Sequence, residues 1–380
     1  MEKDTTREND TTANTSRNRI VLWLVVLAFL VAGGFALNKQ KEPETVTIGV
    51  IAAFTGKAAY VGEDVKVAFD LAAEDVRKEG IPIELAYEDH AGDPKQAVSA
   101  AQKLIAEGVN GLIVSMSSPS AAVAPVANSL KLVMLTDSSA DSPALLHQYV
   151  FKDYVSLSND CKILSEKATV SGFRVAALLP NFESGRECEK GVLEVSSSTP
   201  IEFFPMESND FRTQITKLKA GKSDFLLIYG LKSHISTILK QLQELQYVPK
   251  IGCISLPVTC GAEEVLKEAQ TILKNSWGTQ SEASVSPAGN LFEEFAERFE
   301  AVKGTRPSAD YTIYAYDKVV VLARALHECK GDSDCAREYL LNLRDYEGPA
   351  GLLSFGENRI SKRTSIILVM KDGQFVPLNE

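Results

Sequence analysis

The side chains best placed to do chemistry in this sequence are hydroxyls. Ser115, Ser117, Ser118 and Ser120 follow one short apolar run, and Ser138, Ser139, Asp141 and Ser142 follow the next. Hydroxyl donors combined with the free N–H groups at a helix start suit a carboxylate or another small anion. Asp137 or Asp141 could face an ammonium in the same place. The plainer use of such serines is to cap helices and build turns. Two clusters at successive strand ends favour a shared pocket.

Other chemistries lack their motifs. No Gly-x-Gly-x-x-Gly is present, and Ala220–Ser223 lacks the upstream glycine of a phosphate-binding loop. There is no Gly-x-Ser-x-Gly and no His-Glu-x-x-His. His90, His147, His234 and His327 are scattered and read as packing or surface residues. The expectation is a binding protein without cofactor or metal, not an enzyme. A net charge of −10 argues against nucleic acid, which needs clustered Lys and Arg.

The elements that must position these turns are legible. Val46, Ile48 and Val50–Ala53 read as a strand buried on both faces. The turn Thr55–Ala58 follows, and then Val65, Ala68, Phe69, Ala72 and Val76 recur at helical spacing. Further strands fall at 81–87, 111–115 and 132–136, with helices at 93–107 and 120–129 between them. Asp93-Pro94 caps the first of these helices and Gly108 closes it. A second unit repeats the alternation: strands at 174–179, 201–205, 225–229 and 250–254, helices at 159–170, 185–195, 210–219 and 235–245. Helices at 286–303 and 311–329 and a short one at 335–343 come next. From Gly348 the pattern becomes strands (LLSF, TSIILVM, QFVPL) with Asp372-Gly373 as a tight hairpin turn. Alternation at this spacing is an α/β class with parallel sheets. Ligands in such sheets bind outside the carboxyl ends of the strands.

Two features precede the fold or staple it. Residues 1–19 are polar and lack core-forming side chains. Ile20–Leu37 carries no charge, and at ~1.5 Å per residue it extends roughly 27 Å, about a bilayer core. It reads as an uncleaved transmembrane signal-anchor, with a cleavable signal as the rival; 38–44 is a polar linker. Either way the bulk of the chain lies outside the cytoplasm. The six cysteines are Cys161, Cys188, Cys253, Cys260, Cys329 and Cys335. They allow 15 pairings, of which nearest-neighbour bonding is the economical one. An exported protein favours disulfides over free thiols.

With these stretches in hand, the chain over 45–380 resembles the type I periplasmic solute-binding proteins, in the branch that binds leucine, isoleucine and valine. The matching stretches are IGVIAAFTGKAAYVGEDVKVAFDLAAEDV, YEDHAGDPKQAVSAAQKLIAEGVNGLIVSMSS, VMLTDSSADSP, DFRTQITKLKAGKSDFLLIYG and YEGPAGLLSFGENRISKRTSIILVMKDGQFVPL. The resemblance implies two Rossmann-like lobes joined by a three-segment hinge, a periplasmic binding protein-like I fold. Lobe 1 would be 45–151 and 276–343, and lobe 2 would be 152–275 and 344–380. It implies a small ligand (an amino acid, amide or related carboxylate) gripped by Ser117 or Ser118 and by Ser138, Ser139 or Asp141. Tyr229 would supply an aromatic from lobe 2, Ser184 or Phe182 would line the cleft, and Tyr60 would add a contact from the first turn. Ser255 stands near the place where the family's amino-acid binders carry an acid. Delivery to a permease of an ABC importer is the implied role, in a prokaryotic periplasm or at the cell surface. A membrane-tethered sensor with the same clamshell is the alternative, and an α/β enzyme a weaker one.

Overall fold

The computed structural model describes residues 45–285, 289–307 and 310–378. The apolar segment 20–37 and its flanks lie outside the described residues. Among the described residues no helix is long and apolar enough to cross a membrane.

The chain opens with β1 (Val46–Ala52), α1 (Ala59–Lys78), β2 (Ile83–Asp89), α2 (Pro94–Ala106), β3 (Gly111–Val114), α3 (Ser117–Ser129), β4 (Met134–Thr136), α4 (Ser142–Leu146) and β5 (Val150–Lys152). The strands form one parallel sheet in the order β2-β1-β3-β4-β5. Ile48 and Val50 point into one core with α1, and Ile51 points into the opposite one. All three are fully buried, each contributing about 1.5–3 kcal/mol. The strand is therefore sandwiched, as its unbroken apolar run requires. α3 begins three residues earlier than the apolar pattern suggests, so the serine turn becomes the first turn of a helix.

The second lobe follows as α5 (Leu157–Val170), β6 (Val175–Pro180), α6 (Glu183–Val195), β7 (Ile201–Phe204), α7 (Arg212–Ala220), β8 (Phe225–Ile228), α8 (Lys232–Glu244), β9 (Lys250–Cys253), α9 (Glu263–Leu273) and β10 (Trp277–Ser281). The chain then passes through α10 (Glu282–Val285), α11 (Gly289–Lys303), α12 (Asp310–Glu328), α13 (Ser333–Leu341), β11 (Tyr346–Gly348), β12 (Gly351–Leu353), β13 (Ser365–Lys371) and β14 (Gln374–Pro377). The second sheet runs β14-β13-β10-β9-β8-β6-β7. Its parallel part, β7-β6-β8-β9-β10, repeats the strand order of the first sheet. Asp372 and Gly373, both at positive φ, close the β13–β14 hairpin as their types predict.

Two lobe boundaries fall elsewhere than the sequence suggests. β10 pairs with β9 and β13, so 277–281 belongs to the second sheet and not to lobe 1. Ala350, Leu353 and Phe355 pack in the first core, so the residues just after 344 stay with lobe 1. LLSF contributes only β12, which pairs with β11 in a separate two-stranded sheet.

The chain changes lobes after Lys152, after Ser281 and before Ser365. The crossovers are tied to one another. Lys152 N–H donates to Arg359 O at 2.9 Å, Ser361 N–H to Lys152 O at 2.9 Å, and Glu282 N–H to Thr364 O at 2.9 Å. Arg363, only 4% exposed, forks onto Asp153 at 2.8 and 3.2 Å and reaches Asp317 at 3.2 Å. Cys161 bonds to Cys188, Cys253 to Cys260, and Cys329 to Cys335. The first of these joins α5 to α6.

Candidate ligand-binding site

The turns at the carboxyl ends of β1, β3 and β4 face those of β6, β8 and β9. Between them lies a cavity of about 130 Å³. In each lobe the strand order reverses between the first strand and the third, β1/β3 and β6/β8. In open α/β sheets the ligand crevice forms at such a switch point. Tyr60 and Ser117 flank it in lobe 1, Ser184 and Tyr229 in lobe 2.

Close approach of helix to strand is required at both points. A Cβ on Gly62 would lie 2.0 Å from Ala53 O, and one on Gly185 would lie 1.9 Å from Pro180 O. Only glycine lets α1 and α6 start so near the strand ends. Their first turns, with those of α3 and α8, open toward the cavity, and unsatisfied N–H groups at helix starts favour an anion.

Hydroxyls from both lobes meet in the cavity. Ser117 and Ser139 share a hydrogen bond at 2.8 Å, and Ser139 N–H donates to Ser117 Oγ at 3.1 Å. Burial pushes the Tyr229 pKa up, against the neighbouring hydroxyls of Ser184 and Ser139. Hydroxyls from two helix starts (Ser117, Ser184) and two strand-end turns (Ser139, Tyr229) are thus gathered at one place. Below it, Ser120 Oγ donates to Val114 O at 3.0 Å and lies 2.6 Å from Thr136 Oγ1. That layer is structural and braces β3 against β4.

Backbone strain marks the walls. Met116 (φ +71°) and Ser255 (φ +57°) line the cavity, one from each lobe. Non-glycine residues held there cost about 1–3 kcal/mol and gather at functional sites. Asp137 holds the Met116 turn, its Oδ1 accepting the Met116 N–H at 2.7 Å. Lys318, fully buried, sits 4.0 Å from Asp137 Oδ2. Burial lowers the Lys318 pKa against the pull of the surrounding acids. Asp160, also buried, is a second carboxylate on the cavity wall.

The remaining walls are apolar. Tyr60, Tyr154, Phe182 and Tyr311 present rings, and Val61, Val155, Leu157, Met206 and Leu231 fill between them. The Tyr60 hydroxyl is buried without a hydrogen-bond partner among the described residues. Its pKa is pushed up to about 12 by burial, then by Tyr229, Glu264 and Asp64. Lys232 of lobe 2 lies 4.4 Å over its ring. At the rim Lys57 pairs with Glu207 at 2.9 Å, and Ser142 Oγ donates to Glu183 Oε1 at 2.9 Å. Each of these contacts bridges the lobes.

Of the residues singled out from sequence, Tyr60, Ser117, Ser139, Ser184, Tyr229 and Ser255 line the cavity. Ser118, Ser138 and Asp141 do not. Ser118 is buried within the first turn of α3. Ser138 folds back, its Oγ donating to Ala140 O at 2.9 Å. Asp141 pairs with the fully buried Lys152 and accepts Ser156 Oγ at 3.0 Å, so its carboxylate is turned to these partners and not to the cavity. The cavity carboxylates are Asp137 and Asp160 instead. Asp160, Tyr154 and Tyr311 escaped sequence reasoning. Their signal was position: Tyr154 and Asp160 flank the first crossover, which borders the cleft.

A family model for periplasmic binding proteins matches residues 45–373. A Leu/Ile/Val-binding protein homologue of Brucella melitensis is 24% identical over 93% of this chain and 98% of its own length. The leucine-, isoleucine-, valine-, threonine- and alanine-binding protein of Pseudomonas aeruginosa is 23% identical over 87% of this chain and 91% of its own. Among solved structures, the substrate-binding protein of a branched-chain amino acid transporter from Streptococcus pneumoniae, in complex with isoleucine, superposes with a TM-score of 0.75 at 20% identity. That match covers 87% of this chain and 98% of the other. An ABC-transporter solute-binding protein from Rhodopseudomonas palustris, in complex with 3,4-dihydroxybenzoic acid, gives 0.72 at 21% identity, covering 88% and 96%. The doubled strand order, the cavity at both switch points and the match over 45–373 agree: this chain belongs to the periplasmic binding protein family of solute-binding proteins and is not an enzyme.

Proposed function

We propose that this protein clamps a small ligand with an anionic head and an apolar body between its lobes, outside the cytoplasm, and presents it to the permease of an ABC importer. The observation that carries this reading is the hydroxyl group of Ser117, Ser139, Ser184 and Tyr229, which draws on both lobes at once. A carboxylate replacing the inter-hydroxyl bonds would accept from both lobes and stabilise their closure, a hinge motion about the crossovers. The cavity is comparable to the roughly 150 Å³ that holds a benzene ring, so the body is a branched aliphatic group or one ring. Asp137 and Asp160 give an ammonium its acceptors, which favours an α-amino acid. Relatives named for leucine, isoleucine and valine support that choice. An aromatic carboxylate is the second reading, favoured by the rings of Tyr60, Tyr154, Phe182 and Tyr311 and by the neighbour bound to 3,4-dihydroxybenzoic acid.

Paired cysteines suit an oxidising compartment. The uncharged stretch 20–37 would tether the protein to the membrane. If it stays uncleaved, a sensor that signals to a membrane partner competes with the transport role, and co-purification of a permease or of a kinase separates the two.

Mass spectrometry of ligand released from native protein, with thermal shifts for L-leucine, L-isoleucine, L-valine, benzoate and 4-hydroxybenzoate, tests the binding reading. A ligand at 100 times its Kd stabilises the fold by about 2.7 kcal/mol. No released ligand and no shift from any of the five sinks it.

A further inference from the structure

The turn after β9 differs from the other cavity turns in being closed by a covalent bond. Cys253 ends β9 and is bonded to Cys260, a separation of 7 residues. Both are fully buried. Between them Ser255 stands on the cavity wall at φ +57°.

Further restraints converge on the same few residues. Ser255 N–H donates to Thr279 Oγ1 of β10 at 3.1 Å. Thr259 Oγ1 reaches Ile254 O at 3.0 Å and Ser255 O at 2.9 Å. Gly261 N–H donates to Leu256 O at 2.8 Å. Leu256 lies flat on Gly278, where a Cβ would come within 2.4 Å of Leu256 Cδ2. No residue from 253 to 261 carries a charge. A serine in the left-handed region is disfavoured unless its surroundings over-determine it, and here one disulfide and several hydrogen bonds do so.

We propose that the Cys253–Cys260 disulfide is a positioning element of the ligand site, holding Ser255 on the cavity wall before a ligand arrives. The inference rests on the reading that this cavity takes a ligand. A loop that must be ordered on binding subtracts its ordering cost from affinity, and a stapled loop does not. The wall so formed is rigid and uncharged, so a cationic end of the ligand must turn toward Asp137 and Asp160.

The Cys329–Cys335 disulfide supplies the control. Its separation of 6 residues nearly equals 7, so chain entropy predicts similar stability losses when either is removed. Its cysteines lie away from the cavity. The full chain, Cys253→Ser/Cys260→Ser and Cys329→Ser/Cys335→Ser are compared by calorimetric titration with L-isoleucine and with 4-hydroxybenzoate, and by amide hydrogen exchange over 254–261. The first double variant is expected to bind roughly tenfold more weakly, the factor for ordering about one residue on binding, and to lose protection over 254–261. The control variant keeps wild-type affinity and protection there. Equal affinity losses in the two variants, or unchanged protection in the first, overturn the proposal. If the first variant does not fold, Thr259→Val takes its place. It keeps the disulfide and frees the carbonyls of Ile254 and Ser255, so binding and protection close to wild type are expected if the disulfide holds the turn; losses as large as those expected for removing the disulfide overturn the proposal. If wild-type protein binds neither probe, the titration is repeated with the ligand released from native protein; if none is released either, the ligand reading has failed, and exchange over 254–261 alone decides whether the staple orders the turn.

Discussion

Asp317→Asn should change how stability responds to pH, and the crossovers explain why. Asp317 is fully buried beside Arg363, but Arg363 already forks onto Asp153. Among the described residues Asp317 receives a single hydrogen bond, at 3.2 Å, and its Oδ1 has no partner. Burial outweighs Arg363, helped by the repulsion of Asp153, and raises the Asp317 pKa from 3.8 to about 7. Asp153 goes the other way: burial opposes its ionisation, but Arg363 holds it below the usual range. A carboxyl whose pKa is raised on folding stabilises fully below its unfolded pKa. That contribution falls as pH rises toward the folded pKa and is gone above it. The slope is about 1.36 kcal/mol per pH unit, so between pH 5 and 8 wild-type protein loses about 3 kcal/mol at this site. Asparagine keeps the shape and carries no proton. The stability difference, variant minus wild type, should therefore rise by about 3 kcal/mol over that interval. Urea denaturation at pH 5, 6, 7 and 8, with m-values checked for constancy, measures it. Parallel profiles for the two proteins would refute the assignment of a linked proton to Asp317.

Two further outcomes follow from the site. Gly185→Ala forces a Cβ to within 1.9 Å of Pro180 O; overpacking of this kind costs about 1–3 kcal/mol, read as a lower urea midpoint, and the displaced α6 should carry Ser184 away and weaken ligand binding. Tyr229→Phe removes the lobe-2 hydroxyl that neighbours Ser184 and, from the other lobe, Ser139; ligand affinity should fall about tenfold, mainly through faster release, and an unchanged dissociation rate in stopped flow would count against the inter-lobe hydroxyl group.

The frame of the fold was written in the sequence, because strand runs such as FLLIY and the capped helix at Asp93-Pro94 are local signals. Their alternation leaves little freedom in connection. The site was legible only where it used the same local signals. Ser117 could be singled out because a hydroxyl at a helix start is recognisable in one dimension, and Ser139 because it falls in a serine-rich turn at a strand end; Ser184 was implied only by the resemblance. Asp141 misled because its partner, Lys152, is eleven residues away and buried by tertiary packing. Asp160 and Tyr311 were invisible for the same reason. They reach the cavity from a crossover helix and from the return to lobe 1, and no periodicity records that approach. The boundary at β10 was missed because a strand's sheet is decided by its partners, and Trp277–Ser281 shows only a short mixed run.

The matched glycines, Gly62 and Gly185, and the twice-used strand order describe one plan executed two times. The same scaffold geometry (a helix starting tight against the end of a lobe's opening strand) is offered from each side, and little of it depends on what is held between. Selectivity is then a matter of a handful of side chains on two interchangeable frames. A lineage could change its diet by altering residues such as Ser255 or Asp160 without relearning how to fold. Two halves built alike also supply a natural internal control: a change at one position can be weighed against the same change at its counterpart.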